Sequence, residues 1–410
     1  MKQHLDEAMK ERGIDWIILS GPRSSNPDIV YFIGEANILN PVLVKKRDEE
    51  LIVIHNSMER GEVERCGLRG LDTEEIVSRR EMKNIQNEVE RWMAFYGNLI
   101  KHLRIGGNVA FYGIDYIQRS FFIYREILKR YPHIALVQDV DDNILQAIRQ
   151  TKDDGELEVL RDMTRRTCVI IKALIDYLRS KQLRGTMLVH RNGRAVTVGD
   201  LRKRAFMEMA KGAMNAADPP IISLGRDSAI PHSIGDDSVA IEAGKPLILD
   251  IFPRCTRKGY ISDLTRTVCI GPAPPRLKEL YQAVLEAQGV GLASIRPGVP
   301  VSSADEKVSA FFEGRGFPTL SRNPLSRDGY VHSLGHGIGL DLHEKPRVSV
   351  FNYKSHERFL PGMVFTVEPG LYFPGEEMGV RIEDVVALHG DSTLEVLSDL
   401  PRELEIFPEG

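Results

Sequence analysis

The sequence predicts an α+β protein of two domains, a smaller one over residues 1–150 and a larger one over 151–410. Three observations support this prediction. Runs of β-branched and aromatic residues alternate with segments of helical periodicity. A polar stretch, RQTKDDGE at 149–156, separates the two parts as a candidate linker. In the larger part, two stretches have the pattern of a β-hairpin, and each carries two acidic residues.

The first 150 residues have the pattern of a mixed α/β domain. GIDWIILSG, PVLVKKRDEELIVIHN and GNVAFYG are strand-like, and the middle segment is expected to form a hairpin that turns at LysArgAspGlu. Residues near 80–103 and 116–131 have helical periodicity. No cluster of catalytic spacing occurs here, so we expect an accessory or dimerisation domain.

The larger domain combines antiparallel strands with amphipathic helices. ELEVLRDMTRRTCVIIKALIDYLRS predicts a long helix directly after the polar stretch. Thr197 and Asp200 form a capping box for another helix, which should continue to about Met214. Two further helices are expected near 275–295 and 303–315.

The first acidic hairpin, LILDIFPRCTRKGYISDLTRTV, contains Asp250 and Asp263. If these two residues are paired directly, the turn is centred between Thr256 and Arg257, inside the polar loop. A bulge in a loop of this length would shift the register by one residue.

The second acidic hairpin, GMVFTVEPGLYFPGEEMGVRIEDVVAL, contains Glu368 and Glu383. Their pairing centres the turn between Gly375 and Glu376, within a ProGlyGluGlu turn signal. Directly opposed residues share a face of the sheet, with β-carbons about 4.5–5.5 Å apart. Each hairpin therefore offers a carboxylate pair to one ion.

Electrostatics favours metal binding at these acids. Four carboxylates about 4 Å apart repel by on the order of 10–20 kcal/mol at an effective dielectric constant of about 20. A whole domain is stable by only about 5–15 kcal/mol. The cluster must therefore bind cations, take up protons or stay apart. Oxygen donors with one imidazole, His336, suit Mn²⁺, Fe²⁺, Co²⁺ or Zn²⁺. The alternative is a set of unrelated surface acids.

Composition excludes several other classes of protein. With 42% hydrophobic and 27% charged residues and a net charge of -4, the chain has ordinary globular usage and no basic bias towards nucleic acid. MKQHLDEAMKERG lacks the apolar core of a signal peptide, and no apolar run approaches the ~20 residues of a membrane span. The four cysteines show no CxxC pairing, so we expect free thiols, a cytoplasmic location and an incidental Cys255.

Several motifs resemble those of the M24 "pita-bread" metallopeptidases, which include prolidase, aminopeptidase P and methionine aminopeptidase. They are SLGHGIGLDLHEKP, LPGMVFTVEPGLYF and MGVRIEDV, after LILD…GYISDLTRTV. The resemblance covers about 151–405 and implies a pita-bread (creatinase/aminopeptidase-like) catalytic domain. The first 150 residues resemble, more weakly, the smaller creatinase-type domain that prolidases and aminopeptidase P carry. Methionine aminopeptidases usually lack that domain, so the resemblance favours the Xaa-Pro peptidases.

The resemblance implies a centre of two divalent metal ions, with Mn²⁺ first and Co²⁺, Zn²⁺ or Fe²⁺ as alternatives. Asp250 and Asp263 would bind one metal, and Asp263 would bridge to the other. His336 and Glu368 would bind the second metal, and Glu383 would bridge. Glycines on both sides of His336 would permit close approach of the backbone.

Further roles follow from the same resemblance. His343 and His232 would contact substrate and steady the tetrahedral intermediate, while His332 would lie in a second shell or on the substrate side. Arg381 lies two residues before Glu383, so on an extended strand it shares that face and would supply positive charge beside the carboxylates. The alternative for Arg381 is an ordinary surface ion pair.

The implied reaction is hydrolysis of the Xaa-Pro bond of a dipeptide or of a peptide N-terminus. A hydroxide bridging two metals about 3.5–4 Å apart would attack, and Glu368 would act as general base. His343 and His232 would donate hydrogen bonds to the developing oxyanion. The expected partners are a proline-containing peptide and a second copy of the chain in a homodimer, with neither nucleic acid nor membrane.

The sequence is compatible with both a dipeptidase and an aminopeptidase, and with more than one pocket shape. A strict dipeptidase needs a cation for the free carboxylate of proline, and Lys354 and Arg358 are candidates, although both could be solvated loop charges. Many relatives have glycine two residues after the first aspartate, where this chain has Phe252. Its ring would narrow the pocket or form an apolar wall.

Two other functions remain as alternatives on the same fold: a creatinase-like C–N hydrolase and a non-catalytic binding protein. Relatives of both kinds have lost metal ligands, whereas this chain keeps all five.

Overall fold

The computed structural model describes residues 4–113, 116–140, 143–352 and 356–408. The chain divides into two compact units, Met1–Ile148 and Arg149–Gly410. Across the described ranges, each helix is too short or too polar to cross a bilayer.

The first unit is built on one mixed sheet of six strands. Its strands are β1 (Trp16–Ser20), β2 (Val42–Lys46), β3 (Leu51–His55), β4 (Arg69–Asp72), β5 (Gly107–Gly113) and β6 (Ile134–Leu136), in the order β4-β3-β2-β1-β5-β6. The β2–β3 hairpin turns at the predicted LysArgAspGlu. Its helices are α1 (Leu5–Glu11), α2 (Pro27–Ile33), α3 (Arg60–Cys66), α4 (Thr73–Ile76), α5 (Arg79–Lys83), α6 (Glu88–Leu103), α7 (Ile117–Arg130) and α8 (Ile144–Arg149).

The single helix expected near 80–103 is two helices, α5 and α6. The Asn87 side chain accepts a hydrogen bond from the backbone N–H of Glu90, and this cap starts α6. Asn84 to Asn87 therefore form a break that the apolar periodicity alone conceals.

The described part of the second unit contains four α-helices: α9 (Asp154–Arg179), α10 (Val198–Lys211), α11 (Pro275–Ser294) and α12 (Ser302–Gly314). Asp153 and Glu156 form a capping box at the start of α9, and the predicted box of Thr197 and Asp200 starts α10. All four predicted helices are confirmed.

Two larger sheets carry the second unit. One has the order β10-β11-β13-β21 and the other the order β15-β14-β16-β19-β20. Paired short strands, β7 with β8, β9 with β12 and β17 with β18, complete the unit. The strands are β7 (Gln182–Arg184), β8 (Met187–Val189), β9 (Met214–Ala216), β10 (Ile221–Leu224), β11 (Pro246–Ile251), β12 (Pro253–Cys255), β13 (Leu264–Ile270), β14 (Gly335–Gly337), β15 (Glu344–Val348), β16 (Val364–Val367), β17 (Gly370–Phe373), β18 (Met378–Arg381), β19 (Asp384–Leu388), β20 (Leu394–Val396) and β21 (Glu405–Ile406).

Strand alternation separates a helix-facing side of each sheet from a site-facing side. In β11, Leu247 and Leu249 belong to a cluster with residues of α9 and α10, whereas Ile248 belongs to a different cluster. In β19, Val386 packs in a cluster with α11 and α12, whereas Val385 lies in the same cluster as Ile248. Because successive side chains point to opposite faces, Asp250 lies on the side away from the helices.

The second acidic hairpin has the predicted register. Gly370 pairs with Arg381, and Val367 pairs with Asp384. Glu368 and Glu383 lie between these two pairs at equivalent positions, and the turn falls at Pro374–Glu376. The prediction for this hairpin is therefore confirmed.

The predicted register of the first acidic hairpin is wrong. Asp250 pairs with Thr265, so Asp263 is not directly opposite but lies two residues further, just before β13. Gly259 takes the left-handed conformation (φ 78°) and accordingly closes the turn one residue later than predicted. The shift moves the partner by two residues, which leaves Asp263 on the predicted face.

Candidate metal centre

Asp263, His336 and Glu383 converge from three separate strand regions. Their ligand atoms all lie within 4.8 Å of one another. The Nε2 atom of His336 is 3.8 Å from Asp263 Oδ2 and 3.3 Å from Glu368 Oε1. Asp250 is close enough for its charge to raise the pKa of Asp263. The structure thus brings together all five residues that the sequence singled out.

The carboxylates have oxygens free for a ligand. Asp250 Oδ1, Asp263 Oδ1 and Glu383 Oε1 are buried and accept no hydrogen bond from the described residues. Buried polar atoms without a partner are rare in folded proteins and call for an ion or an ordered water. Oxygen donors aimed into one polar space fit divalent cations.

Burial and mutual repulsion hold protons on these acids when no cation is bound. Burial raises the pKa of Asp263 and of Glu383 well above the usual range, and the neighbouring carboxylates raise both further. Burial also raises the pKa of Glu368 to about 8, against the opposing charge of Arg381. Bound cations would reverse these shifts, because opposite charge favours the ionised form.

His336 has the form that a metal ligand needs, a neutral imidazole. Burial, with a smaller contribution from the charge of His343, lowers the pKa of His336 to about 3. Its Nδ1 lies 3.1 Å from the carbonyl oxygen of Gly337, so Nδ1 carries the proton and donates. Nε2 then presents its lone pair towards Asp263 and Glu368, as a metal ligand requires.

Thr366 fixes two of these ligands at once. Its hydroxyl accepts the backbone N–H of His336 at 3.1 Å and donates to Glu368 Oε1 at 3.2 Å. A Cβ on Gly335 would lie 2.0 Å from the carbonyl oxygen of Thr366. The glycine before His336 is therefore needed for this close approach.

Arg381 is a buried part of the centre and not a surface arginine. Its side chain is only 4% exposed. It donates to Asp250 Oδ2, to the hydroxyl of Tyr372 at 2.6 Å and to that of Thr265 at 3.2 Å. The Thr265 hydroxyl in turn donates to Glu383 at 2.7 Å. Burial lowers the pKa of Arg381, but Tyr372 and the carboxylates outweigh burial and raise it.

The three further histidines differ in their surroundings. His332 Nδ1 bonds the carbonyl oxygen of Ser333, so the Tyr372 hydroxyl donates to its Nε2 at 3.0 Å. His343 is exposed, and its ring centroid lies 4.3 Å from that of His336. His232 is exposed on a loop, and its charge lowers the pKa of both His332 and His343. The three histidines are thus neighbours of one another, and His343 also lies beside the candidate ligand His336.

Sequence reasoning missed a buried ion pair behind the carboxylates. Arg266 donates to Asp384 Oδ1 at 2.7 Å and to the carbonyl oxygen of Glu383 at 2.7 Å. Asp384 also accepts from Gln288 of α11 and from Arg402. The sequence did contain an indication of this pair. Arg266 and Asp384 are charged residues in apolar strands, at positions whose i±2 neighbours face the helices. The pair holds the backbone that carries Glu383.

The residues considered for specificity lie in different places. Phe252 is buried in the cluster that also contains Ile338 and Tyr372, on the site-facing side of the sheets. Arg358 is exposed and forms a backbone bridge with Pro300. Lys354 lies outside the described residues. Cys255 is a free thiol at the end of β12.

Comparisons with known proteins agree with this geometry. The profile of Metallopeptidase family M24 matches residues 158–389. An uncharacterized peptidase of Bacillus subtilis, YqhT, is 38% identical over 204 residues, 49% of this chain and 52% of that protein. A Xaa-Pro dipeptidase of Pyrococcus horikoshii is 31% identical over 268 residues, 64% of this chain and 66% of that protein. The chain thus spans about half to two thirds of these relatives.

A solved structure shows the same fold over almost the whole length. The Xaa-Pro dipeptidase from Bacillus anthracis superposes with a TM-score of 0.76 and 23% identity, covering 99% of this chain and 98% of that chain. Carboxylates and one imidazole that converge from two sheets fit the class of metal-dependent hydrolases. The profile match makes the assignment narrower: the chain belongs to metallopeptidase family M24.

Proposed function

We propose that the protein hydrolyses the Xaa-Pro bond of short peptides with the help of two divalent metal ions. The observation that carries this proposal is the convergence of Asp263, His336 and Glu383 within 4.8 Å, with Glu368 and Asp250 beside them. Similarity to a Xaa-Pro dipeptidase of Pyrococcus horikoshii supports the substrate class. The Xaa-Pro bond lacks an N–H, so a site that recognises the proline ring suits it.

Each group of the site has a defined task in this reaction. When bound, the two cations supply Lewis acidity, which lowers the pKa of water and polarises a carbonyl oxygen. Glu368 accepts the proton of the attacking water. His343 and His232 donate hydrogen bonds to the oxygen on which negative charge develops. Arg381 holds Asp250 and Tyr372 in place.

The proposal includes Mn²⁺ as the native metal, with Co²⁺, Zn²⁺ and Fe²⁺ as alternatives. Four carboxylates and a single imidazole favour hard to intermediate cations over the soft ions that thiolates select. The cysteines among the described residues are free thiols, which supports a cytoplasmic location.

A homodimer is part of the same proposal, with the first unit as its accessory domain. Ile117 and Phe121 of α7 are 87% and 61% exposed, and their spacing puts both on one face of the helix. An exposed apolar stripe of this kind suits association with a second copy. Light scattering of the full chain measures the oligomeric state directly.

The proposed function is tested by removing and restoring the metal. Chelated protein should lose its hydrolysis of Ala-Pro and Ala-Pro-Ala by at least about 100-fold, because cations provide several kcal/mol of transition-state stabilisation. Mn²⁺, Co²⁺, Zn²⁺ and Fe²⁺ are then added separately, and cleavage is followed by release of free alanine. Ala-Ala-Ala is the control substrate.

The outcomes of this experiment separate the three functions. Metal-dependent cleavage confined to the proline-containing peptides supports the proposal. Equal cleavage of Ala-Ala-Ala would show a general aminopeptidase without a preference for the Xaa-Pro bond. Hydrolysis of creatine by the chelated protein would indicate the C–N hydrolase. Absence of hydrolysis of every substrate with every metal would indicate the binding protein.

Arg347 is a candidate for holding the free carboxylate of a dipeptide. It lies directly opposite His336 in the β14–β15 ladder, so both side chains project from one face of the sheet. Its side chain is exposed. We expect Arg347→Met to raise KM for Ala-Pro by about 10–100-fold, the value of one charge-assisted hydrogen bond. KM for Ala-Pro-Ala should change by less than about threefold.

Arg358→Met is the comparison variant for this measurement, because Arg358 is also an exposed arginine of the second unit and is the other candidate for the carboxylate. An unchanged KM for Ala-Pro in the Arg347 variant, with a rise in the Arg358 variant, would transfer the role to Arg358. Similar KM values for Ala-Pro and Ala-Pro-Ala in the unaltered protein and in both variants would identify an aminopeptidase that does not bind the free carboxylate of proline.

A further inference from the structure

A buried ion cluster lies under the loop that carries His343. The Glu344 side chain is 3% exposed and the Lys152 side chain 1%, and the Lys152 ammonium donates to Glu344 Oε2 at 2.8 Å. Arg149 lies 3.6 Å from Glu344 Oε1 and donates to Asp341 Oδ2 at 2.7 Å. The polar stretch at 149–156 is thus packed into the second unit and is not a free linker.

The Glu344 carboxylate also binds the backbone of its own loop, residues 339–344. Its Oε1 accepts the backbone N–H groups of Leu340 at 2.9 Å and Asp341 at 3.1 Å. A Cβ on Gly339 would lie 2.6 Å from Glu344 Oε2, so only glycine leaves room for the carboxylate. Residues 339–344 therefore wrap around one buried negative charge.

The charge of Glu344 persists in spite of its burial. Burial alone would raise its pKa, but the charges of Lys152 and Arg149 outweigh burial and keep the pKa below the usual value. A buried carboxylate without its cations would take up a proton or draw in water. The loop geometry consequently depends on the cations at the start of the second unit.

We propose that Lys152 and Glu344 are positioning residues that hold His343 over the metal centre. His343 directly precedes Glu344 in the chain, and its ring lies 4.3 Å from His336. Its own side chain is exposed, so the backbone beneath it fixes its place. This inference rests on the role of His343 in the proposed function.

Lys152 and Glu344 lie outside the set of metal ligands. No ligand of the described centre accepts a hydrogen bond from Lys152, whose ammonium bonds Glu344. The backbone N–H of Lys152 donates to the carbonyl oxygen of Gly362 at 2.7 Å, which fixes the lysine independently of the loop. Loss of the ammonium should therefore leave metal binding intact and displace His343.

A double-mutant cycle tests the inference with the metal-loaded full chain. Lys152→Met, His343→Ala and the double variant are compared in kcat on Ala-Pro and in metal content. We expect Lys152→Met to lower kcat by about 10–100-fold, the usual effect of a misplaced group. In the His343→Ala background the same change should lower kcat by less than about twofold, because the two residues act as a unit. Metal content should stay unchanged in all variants.

Two further variants separate positioning from general destabilisation. Lys152→Arg keeps the charge and should restore most of kcat. Lys45→Met removes the ammonium of another buried lysine, which pairs with the partly exposed Asp6 in the first unit, and should lower stability without lowering kcat. If Lys152→Met does not fold, Glu344→Gln replaces it in the same cycle.

The possible failures are distinct. The positioning role alone is overturned if the kcat losses of the two single variants multiply in the double variant. It is also overturned if Lys152→Met loses metal. Full kcat in His343→Ala overturns the role of His343 in the proposed function, and the positioning role falls with it.

Discussion

Glu368→Gln is expected to lower kcat by about 10²–10⁴-fold while the protein stays folded and metal-loaded. The amide keeps the shape of the side chain and one oxygen that can accept the Thr366 hydroxyl, which now donates to Glu368 at 3.2 Å. It cannot accept a proton from water. The loss should therefore appear in kcat, measured on Ala-Pro, with metal content determined on the same sample.

Glu395→Gln is the matched control, because Glu395 is a partly exposed glutamate of the same unit that pairs with Arg161. It should retain normal turnover. Near-normal kcat in metal-loaded Glu368→Gln would rule out Glu368 as the general base. Loss of metal together with kcat would reduce its role to that of a ligand.

The metal-free protein is expected to become less stable as pH rises from about 6.5 to about 8. The raised pKa values of Asp263, Glu383 and Glu368 mean that the folded state keeps protons that the unfolded chain releases near pH 4. Stability then falls with pH by about 1.4 kcal/mol per unit for each retained proton. Over this window the loss is about 2 kcal/mol for each acid that stays protonated.

Histidines act in the opposite direction, but at lower pH. Burial lowers the pKa of His332 and of His336 to about 3. Stability therefore rises with pH up to about 6.5, where the unfolded chain also loses these protons, and the two histidines add little pH dependence above that. The measurement is the thermal midpoint of chelated protein at pH 6.5 and 8.0. With metal bound the fall should largely vanish, and in metal-free Glu368→Gln it should shrink. A midpoint that rises with pH in the chelated protein would contradict the proton-holding cluster.

Much of the centre was predictable because strand periodicity is strict. The equivalence of Glu368 and Glu383 followed from a turn signal of fixed position, and the helices followed from apolar spacing and capping residues. The pairing of Asp250 with Asp263 was predicted wrongly, because the sequence does not show which residue of ThrArgLysGly closes the turn. The structure places the left-handed residue at Gly259.

Other parts of the centre depend on residues far apart in the chain. Nothing near Lys152 in sequence indicates that its ammonium meets Glu344, because the two residues are 192 positions apart and only packing brings them together. The same holds for Arg266 and Asp384, which are 118 residues apart. Local patterns carry no information about such pairs, since burial and partner are set by the whole fold.

By itself the sequence determined the types of the candidate ligands, the shared faces of the paired acids and the class of chemistry, because these follow from side-chain identity and a two-residue period. Only the tertiary structure decided which atoms stay without hydrogen bonds, which acids hold protons and which cations support the His343 loop. The physical reason is that desolvation and charge coupling act across space, and their magnitude depends on distances that no local run of residues defines.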